Sequence, residues 1–152
     1  MKLNNGHINL RGGDLTVEKG KARIGTTEMP EYIGGKDISD YRLFVAGGIL
    51  TEAVRVRTDW ADYVFEPSYK LAPLSEVEKY IAEKGHLPNV PSAKEVASEG
   101  IDVGEISKIQ QEKIEEVFLH LIKMNKAMQK MQQKIQTLED ENKTLKTQLN
   151  NK

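Results

Sequence analysis

The last third of the chain carries a thin apolar stripe that repeats every seven residues. We call these residues the heptad stripe, and they occupy positions a (Ile114, Leu121, Met128, Ile135, Asn142, Leu149) and d (Val117, Met124, Met131, Leu138, Leu145). Downstream of about residue 124, Ala127 is the one apolar residue outside the stripe. A helix that is polar over most of its circumference cannot pack into a globular core and is marginal alone in water. The pattern therefore predicts a coiled coil, in which the stripe is covered by copies of the same helix.

Charges beside the stripe predict how the helices run. In a parallel, in-register coil, position g of one chain faces position e of the next heptad on its neighbour. Lys134 then meets Glu139, and Glu141 meets Lys146. Each exposed pair contributes only a few tenths of a kcal/mol, roughly, but such pairs decide register and orientation. We expect a parallel coil.

The number of helices is less strongly specified by the stripe. Asn142 at an a position is a feature that favours parallel dimers at some cost in stability, and we expect it to lie on the coil axis as a register lock. The remaining a and d positions mix Ile, Leu, Met and Val, which leaves dimer and trimer open. Glycine-rich strands upstream favour a threefold fibre, so we predict a parallel homotrimer.

Residues 1–57 have the pattern of short β-strands separated by glycines. The runs HINL, DLTVEKGKARIG and DYRLFVAGGILTEAVRV are interrupted by glycine pairs, and Leu50, Val54 and Val56 stand at roughly strand period. Strands this thin cannot bury a two-layer sandwich in so short a segment. We predict an intertwined β region, a shaft or attachment segment whose strands pair across chains. A small independent β-domain is the alternative.

Residues 58–104 predict a small α/β element, which we call the fold-back segment. A capping-box pattern at Ser75 predicts a helix that ends at Gly85, and a second at Ser92 predicts a short helix that ends at Gly100. Both helices are too short to be stable alone. They need another surface to pack on.

The third segment, 105–152, provides that surface in its upper half. Apolar residues outside the heptad stripe occur there and stop near residue 124. We therefore expect the fold-back segment to pack on this part of the helix, with Trp60 or Phe65 touching Phe118 and Ile122. The predicted fold class is α+β and fibrous: an intertwined β region, a small helical fold-back element and a C-terminal parallel coiled coil.

The composition limits which binding partners and which cellular compartment we expect. The chain is 38% hydrophobic and 30% charged with a net charge of −1, which gives no electrostatic case for nucleic acid or an anionic membrane. It has no cysteine, so it has neither a disulfide framework nor a cysteine zinc site. The opening residues MKLNNGHINLRGG lack the apolar stretch of a signal peptide, and no run is long enough to span a membrane. We expect a protein made in the cytoplasm that does not insert into membranes.

No constellation of residues predicts catalysis or cofactor binding. Three histidines are far apart and lack metal-ligand spacing: His7, His86 and His120. The acidic residues Asp59, Asp62 and Glu66 have no nucleophile or oxyanion donor beside them in the sequence, and we interpret them as surface and turn residues. We therefore expect a protein that is not an enzyme and that holds no cofactor or metal.

Three runs carry a resemblance to a known group of proteins. They are YRLFVAGGILTEAVRV, TDWADYVFEPSYKLAPLSEVEKYIAEKGHLPNVPSAKEV and GIDVGEISKIQQEKIEEV. Across residues 41–124, this pattern resembles the C-terminal region of tail-fibre-like proteins of phages and phage-derived bacterial gene clusters. The resemblance implies a homotrimeric fibre end that serves attachment, or the trimerisation and folding of a fibre. It also implies a larger tail or baseplate-type particle as partner, a cell-surface receptor, and a location on a virion or phage-tail-like particle.

A neighbouring family holds the same position in a fibre: the intramolecular chaperone domain that ends endosialidase-type tailspikes. Those domains cut themselves before a Ser-Asp that a lysine follows within a few residues. This chain has Thr58-Asp59 at the comparable junction, and the next lysine is Lys70. The missing lysine disfavours self-cleavage. The alternative function is therefore a chaperone or trimerisation domain of a fibre, with or without processing near Thr58.

Overall fold

The computed structural model describes residues 16–150 and shows a mixed fold of small sheets and helices. The predicted strand segment HINL and His7 lie outside the described residues. The chain divides into two compact units. The first ends at Arg55 and adds Lys94–Gly100, whereas the second comprises Val56–Ala93 and continues from Ile101. The division into 1–57, 58–104 and 105–152 stays a prediction.

The first unit contains four very short strands in two separate pairs. Strands β1 (Ala22–Ile24) and β4 (Leu43–Val45) pair in parallel, whereas β2 (Tyr32–Ile33) and β3 (Lys36–Asp37) form an antiparallel hairpin. The hairpin turns through Gly34-Gly35, whose φ angles are 59° and 93°. A side chain at Gly34 would meet the Ser98 carbonyl oxygen at 2.6 Å, so this position requires glycine for its conformation and for space.

The first unit buries very little apolar surface within one chain. Ile38, 9% exposed, is the one buried hydrophobic residue among its described residues. Pairing ends at Val45, and the positive φ of 108° at Gly47 follows it. In the single chain, Leu50 and Val54 are exposed and lie outside any strand, and their pairing with strands of other chains stays a prediction.

Three α-helices follow, and their ends test the predicted capping patterns. Helix α1 spans Leu74–Lys84, α2 spans Ala93–Glu99, and α3 spans Val103–Asn150. α2 begins directly after Ser92 and is followed by Gly100, whose N–H donates to the Val96 carbonyl at 3.0 Å. The predicted bounds of this short helix are confirmed.

The capping box at Ser75 is wrong, although the predicted end of α1 is confirmed. The helix begins two residues earlier than a Ser75 cap allows, with Pro73 at the N-cap and no side-chain cap. The Pro73 carbonyl closes the first turn by accepting from the Glu76 and Val77 N–H groups at 3.0 and 3.1 Å. At the other end, Gly85 adopts φ 77° and its N–H donates to a carbonyl of the last turn at 2.8 Å.

The second unit is organised around the first turns of α3. Asp102 caps that helix, because its side-chain oxygen accepts from the Glu105 N–H at 3.0 Å. Gly104 is buried, and a Cβ there would lie 2.9 Å from Val56 Cγ1 and 3.3 Å from Thr58 Cβ. The chain from Val56 to Thr58 therefore lies directly against the start of α3.

A single 3₁₀ turn, Asp62–Phe65, packs directly on α3. Ala61 and Val64 are almost completely buried, at 0% and 1% exposed. Burial of this small apolar pair anchors the turn. Among residues 16–150, no helix combines the length and the apolar composition that crossing a membrane requires.

Candidate oligomer interface

The heptad stripe lies on one uninterrupted helix. α3 is 48 residues long and includes every predicted a and d position from Ile114 to Leu149. Its apolar members are exposed in the single chain, from 47% at Leu138 to 73% at Leu149. Such a helix is compatible with a coiled coil, and the pairing of stripes between chains stays a prediction.

Asn142 interrupts the stripe with a polar side chain. Its Nδ2 donates to the Leu138 carbonyl of the same helix at 3.0 Å. The amide therefore has a local partner in the single chain, and it retains further donor and acceptor capacity for neighbouring chains.

The opposite face of α3 is covered by the first part of the fold-back segment, residues 58–69. Glu112 and Glu115, 8% and 5% exposed, are the buried charged residues of the described chain. At about 100° per residue, Ile114 and Val117 lie about 140–200° round the helix from Glu112. The segment therefore packs on the side of α3 away from the heptad stripe and leaves the stripe free.

Two tyrosine hydroxyls bind this acidic face. The Tyr63 hydroxyl donates to Glu112 Oε2, and the Tyr69 hydroxyl donates to Glu116 Oε1 at 2.5 Å. Lys113 Nζ lies 2.8 Å from Glu112 Oε1 and 2.8 Å from Glu116 Oε2. We call these five residues the tyrosine–glutamate clasp. Buried carboxylates require such donors and a counter-charge, because desolvating them unpaired costs several kcal/mol, roughly.

The clasp stabilises one set of protonation states. A hydrogen bond to Glu112 raises the pKa of Tyr63 to about 12, and burial together with the bond to Glu116 raises the pKa of Tyr69. Burial alone would raise the pKa of Glu112, but the bonds from Lys113 and Tyr63 outweigh it and lower that pKa. Burial would lower the pKa of Lys113, yet its two glutamate partners raise it. Protonated phenols, ionised carboxylates and a charged ammonium are therefore mutually reinforcing.

Further contacts hold the clasp together. The Tyr63 and Tyr69 rings lie 6.0 Å apart, and Lys108 Nζ lies 5.7 Å from the centre of the Tyr63 ring. Asn89, in the left-handed region at φ 62°, also contributes to lowering the pKa of Glu112.

Two buried carboxylate oxygens of this face have no well-directed hydrogen bond among the described residues: Glu112 Oε1 and Glu115 Oε2. For Glu112 the charge is compensated, because the Lys113 ammonium lies 2.8 Å away. Glu115 is held through its other oxygen, which accepts from Gln111 Nε2 at 2.8 Å.

The residues predicted to make the fold-back contact are not those that attach the segment. Trp60, Phe65, Phe118 and Ile122 are 51%, 58%, 57% and 47% exposed in the single chain. The segment is attached by Val64 and the clasp, on the face of Glu112. Phe118 lies about 120° round the helix from that residue, at about 100° per residue. The expected ring contact stays a prediction, whereas the contacts that attach the segment are polar and mediated by tyrosines.

A signal for the clasp was present in the sequence. The run EKIEE, residues 112–116, places three carboxylates on one side of a helix that already has an apolar stripe on the other. Tyr63 and Tyr69 are aromatic residues that also carry a hydroxyl donor, which buried carboxylates require. An acidic face opposite the stripe also fits a solvated helix surface. The sequence alone therefore does not predict that the tyrosines bind it.

Metal binding and similarity give no further assignment. Among residues 16–150, no three His, Cys, Asp or Glu side chains are grouped so as to hold a metal ion. Comparisons with protein families, with curated proteins and with solved structures give no match.

Proposed function

We propose that the chain is a structural, trimeric tail-fibre-like or attachment component of a phage-like particle, in which the heptad stripe of α3 drives trimerisation. The observation that carries the proposal is an apolar stripe from Ile114 to Leu149 that the described chain leaves uncovered. A fully buried Leu, Ile or Met side chain contributes about 1.5–3 kcal/mol. Covering ten half-exposed ones contributes on the order of 10 kcal/mol per chain, before the entropic cost of association.

Charges support a parallel arrangement. Two g–e pairs of opposite sign align in a parallel register, Lys134 with Glu139 and Glu141 with Lys146. No ion pair within the described chain engages these four side chains. They are therefore available to a neighbouring helix.

The first unit has only a small core within one chain, and this supports a core that is shared between chains. Its strands are two or three residues long, and Leu50 and Val54 are 102% and 72% exposed. Glycine-rich segments with so little buried surface gain stability when three copies interleave, because each strand then has partners and cover. This supports a threefold assembly rather than a dimer.

Attachment is the role that such an assembly serves best. Three copies displayed together increase avidity for a surface without any new contact. With the resemblance to tail-fibre ends, this supports a larger tail or baseplate-type particle and a cell-surface receptor as partners. Nucleic acid, membrane insertion, cofactors and catalysis have no part in the proposal.

The second candidate is a chaperone or trimerisation domain of a fibre, with or without processing near Thr58. One observation favours it: the boundary between the two compact units falls at Arg55–Val56, close to the Thr58-Asp59 junction. A cut there would separate the part of the first unit that ends at Arg55 from most of the second unit. Intact mass after prolonged incubation separates the two candidates, since cleavage between Arg57 and Thr58 supports the second.

The first test of the proposal is the mass of the purified chain by light scattering. A particle of three 17.1 kDa chains is expected, and a monomer at micromolar concentration would overturn it. The second test is location. A labelled antibody should decorate intact phage-tail-like particles from cells that make the chain. A trimer that is never found on any particle would leave trimerisation standing and remove the attachment role.

A further inference from the structure

The edge of the heptad stripe holds an aromatic side chain that its own chain leaves uncovered. Phe118 is 57% exposed and follows Val117, a d residue, so it occupies position e. Ile122 lies one turn further along the same edge and is 47% exposed. A phenylalanine is the largest apolar side chain beside the stripe, so what covers it has a large effect on assembly.

The parallel register identifies the residue that faces Phe118. The g residue of a neighbouring chain lies opposite an e residue five positions later. For Phe118 that g residue is Lys113, just as Lys134 faces Glu139. An unpaired ammonium would be poorly placed against a phenylalanine that is being buried.

Lys113 does not bring an unpaired charge. Its ammonium lies 2.8 Å from carboxylate oxygens of both Glu112 and Glu116, and its side chain is 15% exposed. The charge is therefore already compensated within its own chain. Position 113 therefore presents the aliphatic stem of a lysine, within a neutralised cluster, to the neighbouring chain.

Tyr69 enlarges that surface on the correct side. Its hydroxyl binds Glu116, a c residue, and positions c and g adjoin on the helix surface. The g side of one helix faces the e side of the next in a parallel coil. The clasp therefore extends toward the neighbour's Phe118 and away from the Phe118 of its own chain.

We propose that Phe118 of each chain packs on the tyrosine–glutamate clasp of the neighbouring chain, against Tyr69 and the stem of Lys113. This rests on the parallel assembly proposed above. The site is incomplete in one chain, because the phenylalanine comes from one copy and the clasp from another. Folding of residues 58–70 and association of the helices are then coupled.

A photo-crosslinking residue at position 118 tests the proposal directly. Phe118 is replaced with benzophenone-alanine, which keeps an aromatic side chain, and this chain is co-refolded with ¹⁵N-labelled wild-type chain. Trypsin cuts after Arg57, Lys70, Lys113 and Lys123 and so separates the clasp peptide 58–70 from the probe peptide 114–123. We expect adducts that join an unlabelled probe peptide to a ¹⁵N clasp peptide.

Two controls separate this inference from the trimer itself. The same probe at Leu121, an a residue, should give mixed-isotope adducts between α3 peptides, and at Gln133, on the outer face, it should give none. If Leu121 gives mixed adducts but position 118 reacts only within its own chain, or with the neighbour's α3 only outside the peptide 109–113 that holds Lys113, the inference is wrong and the assembly stands. If Leu121 also fails, the proposed assembly is wrong.

A reciprocal probe covers the case in which the position 118 variant does not assemble. Ser68 is exposed and adjoins Tyr69 without belonging to the clasp. Benzophenone-alanine at Ser68 should label the ¹⁵N peptide 114–123 of another chain. Labelling confined to its own chain would overturn the inference.

Discussion

The upper and lower parts of α3 belong to one helix but depend on different partners. Up to about residue 120, one face is covered by the same chain, and Gly104, Glu112 and Glu115 are buried. Beyond it, every described residue of the helix is exposed in the single chain. The upper part is therefore fixed by intrachain contacts, whereas the lower part has only its apolar stripe to stabilise it. Substitutions in each part should separate the role of the intrachain contacts from the role of the stripe.

The largest effect is expected from charging the stripe in the lower part. Met131→Asp with Ile135→Asp places carboxylates on the predicted seam, where burial without a counter-charge is prohibitive. The proposed trimer should dissociate to monomers by light scattering, and the helical signal of circular dichroism should fall because a lone polar helix is marginal. The matched control, Lys130→Asp with Gln133→Asp on the outer positions, should remain associated. Equal behaviour of the two pairs would mean that the stripe is not an interface.

Gly104→Ala tests the upper part. The added methyl would lie 2.9 Å from Val56 Cγ1, so we expect a loss of about 1–3 kcal/mol in the free energy of unfolding from overpacking. Gly48→Ala is the control, because a Cβ there meets nothing within 4 Å and its φ is not positive. Chemical denaturation measures both. If the two substitutions cost the same, the segment at Val56 is not packed on α3.

Alkaline pH should weaken the upper part selectively. The pKa of Tyr63 is raised from 10.0 to about 12, so its bond to Glu112 is fully present below pH 10 and is lost as pH rises to about 12. The raised pKa values of Tyr69 and Lys113 act in the same direction. Tyrosinate absorbance should show late titration for two of the five tyrosines. Tyr63→Phe should remove one late step, whereas Tyr32→Phe, on an exposed side chain, should leave both.

Asn142→Ile is expected to have the smallest effect on stability, and to raise stability where the other changes lower it. Burying an amide on the coil axis costs free energy unless it bonds to its symmetry mates, so isoleucine should raise the melting temperature modestly. The same change should broaden the distribution of oligomers seen by native mass spectrometry. A large fall in stability would show that the heptad is displaced from the register assigned here.

Periodicity predicted the long helix well because a stripe at seven-residue spacing determines which face needs cover. The ends of α1 and α2 at Gly85 and Gly100 followed from glycine's access to positive φ. The start of α1 was misassigned, since Pro73 can close a first turn through its carbonyl without a side-chain cap. The fold-back contact was predicted from apolar residues, and the structure uses tyrosine hydroxyls on carboxylates, a pairing that depends on which faces meet in space and not on sequence pattern.

The placement of the clasp on the side of α3 away from the stripe has a consequence for synthesis. Residues 63, 69, 112 and 116 leave the ribosome before most of the stripe, so the intrachain contacts close while the chain is still a single copy. Val64 is then already covered when a second copy arrives, and on α3 little besides the stripe and its edge remains to be recognised. A nascent α3 therefore presents one apolar side rather than two to other chains, which disfavours branched or irregular association through this helix during production at high concentration.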